Sequence, residues 1–286
     1  MSEPNEAQSA LWNKRGGEIW VEQQPMLDRL FQPFERILAE AVEAAGARSV
    51  LDIGCGAGAT TLAAAQRLGA LGRCVGLDIS ATMIEAARRR AEAAGLVNIR
   101  FRVADAQTCD LEPAHFDAIV SRFGVMFFAD PRAAFANLRR AAAPGCRLPA
   151  AGCRLTLIAW RSPADNPFML AGERAASAFL PELAAFDPTA PGRFAFADAE
   201  RVRGILAAAG WAQIETTPLD VACALREQEL DVYATRMGKL GQLPPHLDEA
   251  TRAQIDEAAR RAYDPYVEAG EARFSAACWR IEARAG

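Results

Sequence analysis

The chain has 286 residues, 51% of them apolar and 24% charged, with a formal net charge of -4. That is long and apolar enough for one large core or two smaller ones, which excludes collagen, coiled coil and wholesale disorder. Lys and Arg are scattered, with Arg88, Arg89 and Arg90 the densest cluster, so nucleic acid is not an expected partner; no run of 18 apolar residues occurs, so no membrane span is expected.

Glu3 and Glu6 fall where a secretory leader would be basic, which points to a cytoplasmic protein. The seven cysteines include no Cys-x-x-Cys pair and predict reduced, mostly buried thiols. With only His115 and His246 besides, no metal site is expected.

Residues 18–46 carry apolar side chains at helical spacing and stop at Gly46. The texture then changes. Ser49 to Ile53 is a short apolar run that ends in glycines and precedes a helical segment, Ala59 to Leu68. Cys74 to Leu77 again reads as a strand, and Ala81 to Ala94 as a helix closed by Gly95. Ile99 to Val103, Ala118 to Val120 and Arg154 to Trp160 are further strands, with a helix over Pro131 to Ala142. Strands alternating with amphipathic helices make βαβ units, whose sheet is parallel and covered on both faces. The fold class expected is α/β, a doubly wound sheet.

Beyond Trp160 the alternation breaks. An added helix over Asn166 to Leu180 and a loop from Pro181 to Phe196 precede a helix over Ala197 to Ala209 and a strand over Trp211 to Thr217. Helices over Gln228 to Leu240 and Leu247 to Tyr263 follow, then a closing strand, Ala272 to Ala283. The predicted organisation is an N-terminal helical cap (1–46), a ligand-binding core (47–161), a cap insertion (162–197), a core continuation (198–226), a second insertion (227–270) and a closing strand (271–286). A near-repeat, Gly145-Cys-Arg-Leu followed by Gly152-Cys-Arg-Leu, lengthens the loop before Trp160 and leaves open which copy enters the strand.

Gly54, Gly56 and Gly58, after a strand and opening a helix, let the backbone turn sharply and approach a ligand. Gly54-x-Gly56-x-x-Ala59 also fits a dinucleotide fingerprint, so the loop alone does not choose its ligand. Asp52 helps, because a carboxylate there repels a pyrophosphate and favours an ammonium group. Asp78, at the end of the next strand, suits the two hydroxyls of a ribose. Asp105 and Ala106 end the third strand beside a purine edge, and Ile79 and Met83 flank the ring. An amino acid joined to a nucleoside without phosphate describes S-adenosylmethionine.

Val50-Leu-Asp-Ile-Gly-Cys-Gly-Ala-Gly58, Val75-Gly-Leu-Asp-Ile-Ser80 and Phe116-Asp-Ala-Ile-Val-Ser121 resemble the successive motifs of class I S-adenosylmethionine-dependent methyltransferases. The resemblance is strong over residues 47–161, and the helical N-terminus and late insertion are similar to the small-molecule, quinone-methyltransferase-like branch. It implies a seven-stranded, mostly parallel Rossmann-like sheet with a helical cap. It also implies backbone contacts from Gly54, Cys55 and Gly56 to the methionine part, with Asp52 orienting the loop or the ammonium group. Asp78 would hold the ribose, Ile79, Met83, Asp105 and Ala106 the adenine, and Ser121 and Arg122 would lie near the methionine part and the acceptor. Arg122 departs from the small or polar residue frequent there.

The expected reaction is direct displacement onto a small aromatic or apolar molecule, which needs alignment and exclusion of water. Trp12 and Trp20 are candidates to cover the donor, and His246 to reach the acceptor. Tyr233, Tyr263, Tyr266 and His246 are the candidate bases, and none is singled out as catalytic. Two other readings stay open: an NAD(P)-dependent oxidoreductase, which lacks a Tyr-x-x-x-Lys, and a protein that holds the donor without transferring methyl. Self-association remains compatible with the sequence.

Overall fold

A computed structural model of the chain describes residues 5–144, 152–184, 187–244 and 247–285. Three helices come first: α1 (Glu6–Trp12), α2 (Arg15–Glu22) and α3 (Gln24–Ala44). The apolar stripe of α3 buries Leu27, Leu30, Phe34, Leu38 and Val42, so the helix lies flat on the layers beneath it.

The sheet follows: β1 (Ser49–Ile53), α4 (Ala59–Leu68), β2 (Arg73–Asp78), α5 (Ala81–Ala93), β3 (Ile99–Val103), β4 (Ala118–Arg122), α6 (Pro131–Ala141) and β5 (Arg154–Trp160). Leu51, Ile119, Leu155 and Leu157 are fully buried, as expected of strands covered on both faces. Then come α7 (Ala171–Ala176), α8 (Ala199–Ala208), β6 (Trp211–Arg226), α9 (Leu230–Arg236), α10 (Glu249–Arg261), the two-residue β7 (Val267–Glu268) and β8 (Glu271–Ala285). The strand order is β3-β2-β1-β4-β5-β8-β6, with β7 on β8 beside this path. β1 to β5 are parallel, and β8 runs antiparallel between β5 and β6. This is a mostly parallel mixed sheet flanked by helices, the Rossmann-like architecture.

Several elements differ from the sequence reading. The strand expected to end at Thr217 runs on to Arg226; Pro218 is tolerated because β6 is an edge strand and needs no donor on its outer side. β5 pairs with β8 only as far as Trp160↔Cys278, so Glu271 to Ala277 and their β6 partners project past it. The helix expected over 166–180 shrinks to a 3₁₀ turn, Pro167–Leu170, and α7. That over 228–240 shortens to α9, before Gly238 turns the chain at φ 61°. α10 starts at Glu249 because the Asp248 carboxylate accepts the Thr251 amide.

The second near-repeat copy leads into β5: Cys153 is buried and its amide bonds to Ala143 O. The first copy, with Cys146, and likewise Pro245 and His246, lie outside the described residues. Among the described residues no helix is long and apolar enough to cross a membrane.

Candidate functional site

A cavity of about 650 Å³ opens at the C-terminal ends of β1 to β5, the edge where doubly wound sheets bind ligands. Its floor is the turn after β1. Gly54 has φ 63°, and a Cβ there would sit 2.6 Å from the Gly124 Cα, so two backbone segments touch where only glycine fits. Gly56 has φ 54° but faces open space. The Cys55 amide donates to Leu77 O, tying the turn to β2.

Asp78 ends β2 and lines the cavity. Its Oδ2 accepts the Gly56 amide at 2.8 Å and its Oδ1 the Ser80 amide at 2.9 Å. Each oxygen keeps a lone pair for another donor. Burial raises its pKa, against the pull of those two backbone bonds. Ile79, Met83, Asp105 and Ala106 continue the same wall. Gln107 donates to both Asp105 oxygens and accepts the Asp130 amide, which fixes the Asp105 carboxylate in place.

Trp12 and Trp20 also line the cavity, edge to face at 5.8 Å. The Trp12 end is tied to the start of α5 by three bonds: Ser80 Oγ donates to Trp12 O, Asn13 Nδ2 to Ile79 O, and the Ala81 amide to Asn13 Oδ1. On the other side of Gly54 the wall is aromatic. Phe123 stacks on Trp160 at 4.4 Å, and Phe31 meets Phe123 edge to face.

Two expected residues do not reach the cavity. Ser121 is fully buried; its hydroxyl donates to Ile53 O and accepts the Gly124 amide, so it braces the Gly54–Gly124 approach. Asp52 is 1% exposed and sits beneath the turn, where Thr61 Oγ1 donates to its Oδ2 at 2.6 Å. Of the two roles expected for Asp52, this position fits orienting the loop and does not fit meeting an ammonium group: its side chain anchors α4 behind the turn.

Burial pushes the Asp52 carboxyl up to about 7, against the Thr61 hydrogen bond, and its Oδ1 has no partner. The folded protein thus holds a proton that the unfolded chain releases, so stability falls as pH rises from about 4 to about 7 and levels off above. The drop is expected to reach about 4 kcal/mol at most. Urea unfolding of wild type and Asp52→Asn across this range measures it; the variant should lose the Asp52 share of the slope and keep that of the buried Asp78, and an equal slope in both assigns the dependence elsewhere.

Two charge pairs in the cavity wall were not foreseen. Glu173 of α7 is buried and accepts from Arg193 Nη2 at 2.6 Å and from the Lys239 amide at 3.1 Å. Asp28 of α3 pairs with Arg90 of α5, whose Nη1 donates to Ala57 O of the turn. No local motif marks these pairs. Tyr233 lines the cavity, and burial raises the Tyr233 and Tyr263 phenols, which favours their protonated forms. Burial likewise holds the Cys55 thiol well above its usual range, against thiolate chemistry.

With this geometry in view, residues 50–145 match the family model described as a methyltransferase domain. Aklanonic acid methyltransferase DauC of Streptomyces sp. (strain C5) is 35% identical over 134 residues, 46% of this chain and 61% of the relative. Nocamycin O-methyltransferase of Saccharothrix syringae is 32% identical over 114 residues, 40% and 41% of the respective chains. The matched stretch spans less than two thirds of either relative. The YcgJ protein of Bacillus subtilis has the same fold, with a TM-score of 0.54 at 21% identity over 86% of this chain and 97% of its own.

Proposed function

We infer, from the match of residues 50–145 to a methyltransferase domain and the geometry of the cavity, that this chain is a class I methyltransferase that transfers the methyl group of S-adenosylmethionine to a small aromatic or apolar molecule by direct displacement. The observation that carries this reading is Asp78. Its carboxylate lines the cavity and is locked by the Gly56 and Ser80 amides, and each oxygen keeps a lone pair, which suits a ribose diol. Gly54 and Gly56 would receive the methionine part through backbone atoms, Ile79 and Met83 the adenine faces, and Asp105 and Ala106 its amino edge. The donor brings an activated methyl group; the chain's residues bind, align and keep water out. Alignment supplies roughly 7–11 kcal/mol in favourable cases.

Trp12, tied to the start of α5, and Trp20, packed against it, cover the donor side. The rings of Phe31, Phe123 and Trp160 line the path to the acceptor, and their apolar faces support an aromatic or apolar partner. The relatives' names, which specify aklanonic acid and nocamycin, support a small acceptor. Residues 1–46, 162–197 and 227–270 act together as the cap, and the protein works in the cytoplasm with its thiols reduced. No residue is assigned as a catalytic base. Nothing in the comparisons supports the nicotinamide alternative.

Calorimetry with S-adenosylhomocysteine tests the reading. Micromolar binding is expected; failure to bind either it or S-adenosylmethionine at millimolar concentration refutes the function. A screen of small-molecule extracts with isotope-labelled donor then identifies the acceptor, and tight donor binding with no labelled product from any extract would favour a protein that holds the donor without transfer.

A further inference from the structure

Three arginines beside the two exposed ones line the cavity, and two of them are closed by acids: Arg90 by Asp28 and Arg193 by Glu173. The third, Arg122, is different. It ends β4 between the Gly54 turn and the aromatic wall, with its guanidinium 5.8 Å from the Phe31 ring centre. Its Nη1 is buried without a hydrogen-bond partner, and among the described residues no carboxylate lies within 4 Å of it.

A guanidinium does not shed its proton, so a buried one keeps an uncompensated charge until an anion arrives. Glu35, Asp28 and Asp52 attract it from farther off while Arg90 repels it. Those three acids would also resist a multiply charged anion such as a phosphate, and a planar singly charged group suits the guanidinium fork best. A neutral oxygen could accept from Nη1 but would leave the guanidinium charge uncompensated.

We propose that Arg122 is a carboxylate-binding residue, whose Nη1 completes its hydrogen bonding on the carboxylate of a ligand in the cavity. The inference rests on the methyltransferase reading, within which two molecules could bring this group: the amino-acid tail of the donor, or an aromatic acceptor that is itself a carboxylic acid. Arg122 lies between the places assigned to both.

Calorimetry on wild type, Arg122→Met and Arg122→Lys separates these sources. S-adenosylhomocysteine is compared with 5′-methylthioadenosine, which lacks the amino-acid tail. On protein saturated with S-adenosylhomocysteine, 2-naphthoate is compared with its uncharged amide. Removing a charge-assisted pair should cost about 10- to 100-fold in affinity for the carboxylate-bearing member of one pair, with its neutral counterpart within about threefold. Arg122→Lys should recover part of the loss. Loss confined to S-adenosylhomocysteine assigns the site to the donor tail, and loss confined to 2-naphthoate assigns it to the acceptor. The ligand-free Arg122→Met protein should also melt above wild type, because a buried unpaired charge is gone.

Equal weakening of charged and neutral members, or no change in either pair, overturns the proposal in favour of a structural arginine. If Arg122→Met does not fold, the same comparison on Arg122→Lys decides, its carboxylate selectivity falling below wild type or not. Wild type that binds no S-adenosylhomocysteine removes the methyltransferase reading and this site with it, whereas wild type that binds beside unselective variants removes this site alone.

Discussion

Replacing Asp78 with alanine is expected to weaken S-adenosylhomocysteine binding by two to three orders of magnitude, read by calorimetry. Two losses combine. The ribose would lose a charged acceptor, worth about 1.5–3 kcal/mol for each hydrogen bond, and the Gly56 and Ser80 amides would lose the oxygens that hold them. Asp78→Asn should fall between the two proteins, because its amide nitrogen turns a donor toward one of two backbone N–H groups. The same chemistry sets a pH dependence. Since burial raises the Asp78 pKa, binding should weaken as pH falls through that raised value, where the protonated acid accepts fewer bonds. An Asp78→Ala protein that binds within threefold of wild type would remove Asp78 from the site.

Gly54→Ala should be the most damaging single methyl in the loop. The left-handed backbone costs an alanine about 1–2 kcal/mol, and its Cβ would overlap the Gly124 Cα at 2.6 Å, backbone against backbone with no side chain to swing away. Overpacking of this kind adds about 1–3 kcal/mol. Thermal unfolding should show the variant several degrees less stable, with donor binding lost. Gly56→Ala is the control. Its φ is also positive, but a Cβ there meets nothing within 4 Å. The expected stability loss is about 1 kcal/mol, and any large loss of binding then reports a ligand that occupies that open space. Equal destabilisation by both substitutions would count against the Gly54–Gly124 contact as the reason.

The part of the cavity built from the strand ends was legible because its signals are local. Gly54, Gly56, Asp78, Ile79 and Asp105 each lie within a few residues of a strand end, and a short apolar run followed by glycine already says where that end is. The charge pairs in its wall were not. Glu173 and Arg193 are 20 residues apart across segments without periodic pattern, and Asp28 and Arg90 are 62 apart on two helices that meet only once the sheet has formed. A pattern of i, i+3 and i+4 neighbours cannot register such partners.

Asp52 marks the boundary between the two kinds of information. Its place one residue before the loop is local, and so was readable; the face it presents depends on α4 lying behind β1, where Thr61 captures it. Arg122 is the converse case. Chain order puts it at the end of β4, but its lack of a partner is a property of everything packed around it. The order of strands and helices, the sharp glycine turn and the acid at the end of β2 were thus settled by the amino-acid sequence itself, through backbone sterics and hydrophobic periodicity that act over a few residues. Which charges are paired, which hydroxyl only braces the backbone and how far β6 and β8 project were decided by tertiary packing, because pairing energies depend on distance in space and on burial, and both arise only when remote segments meet.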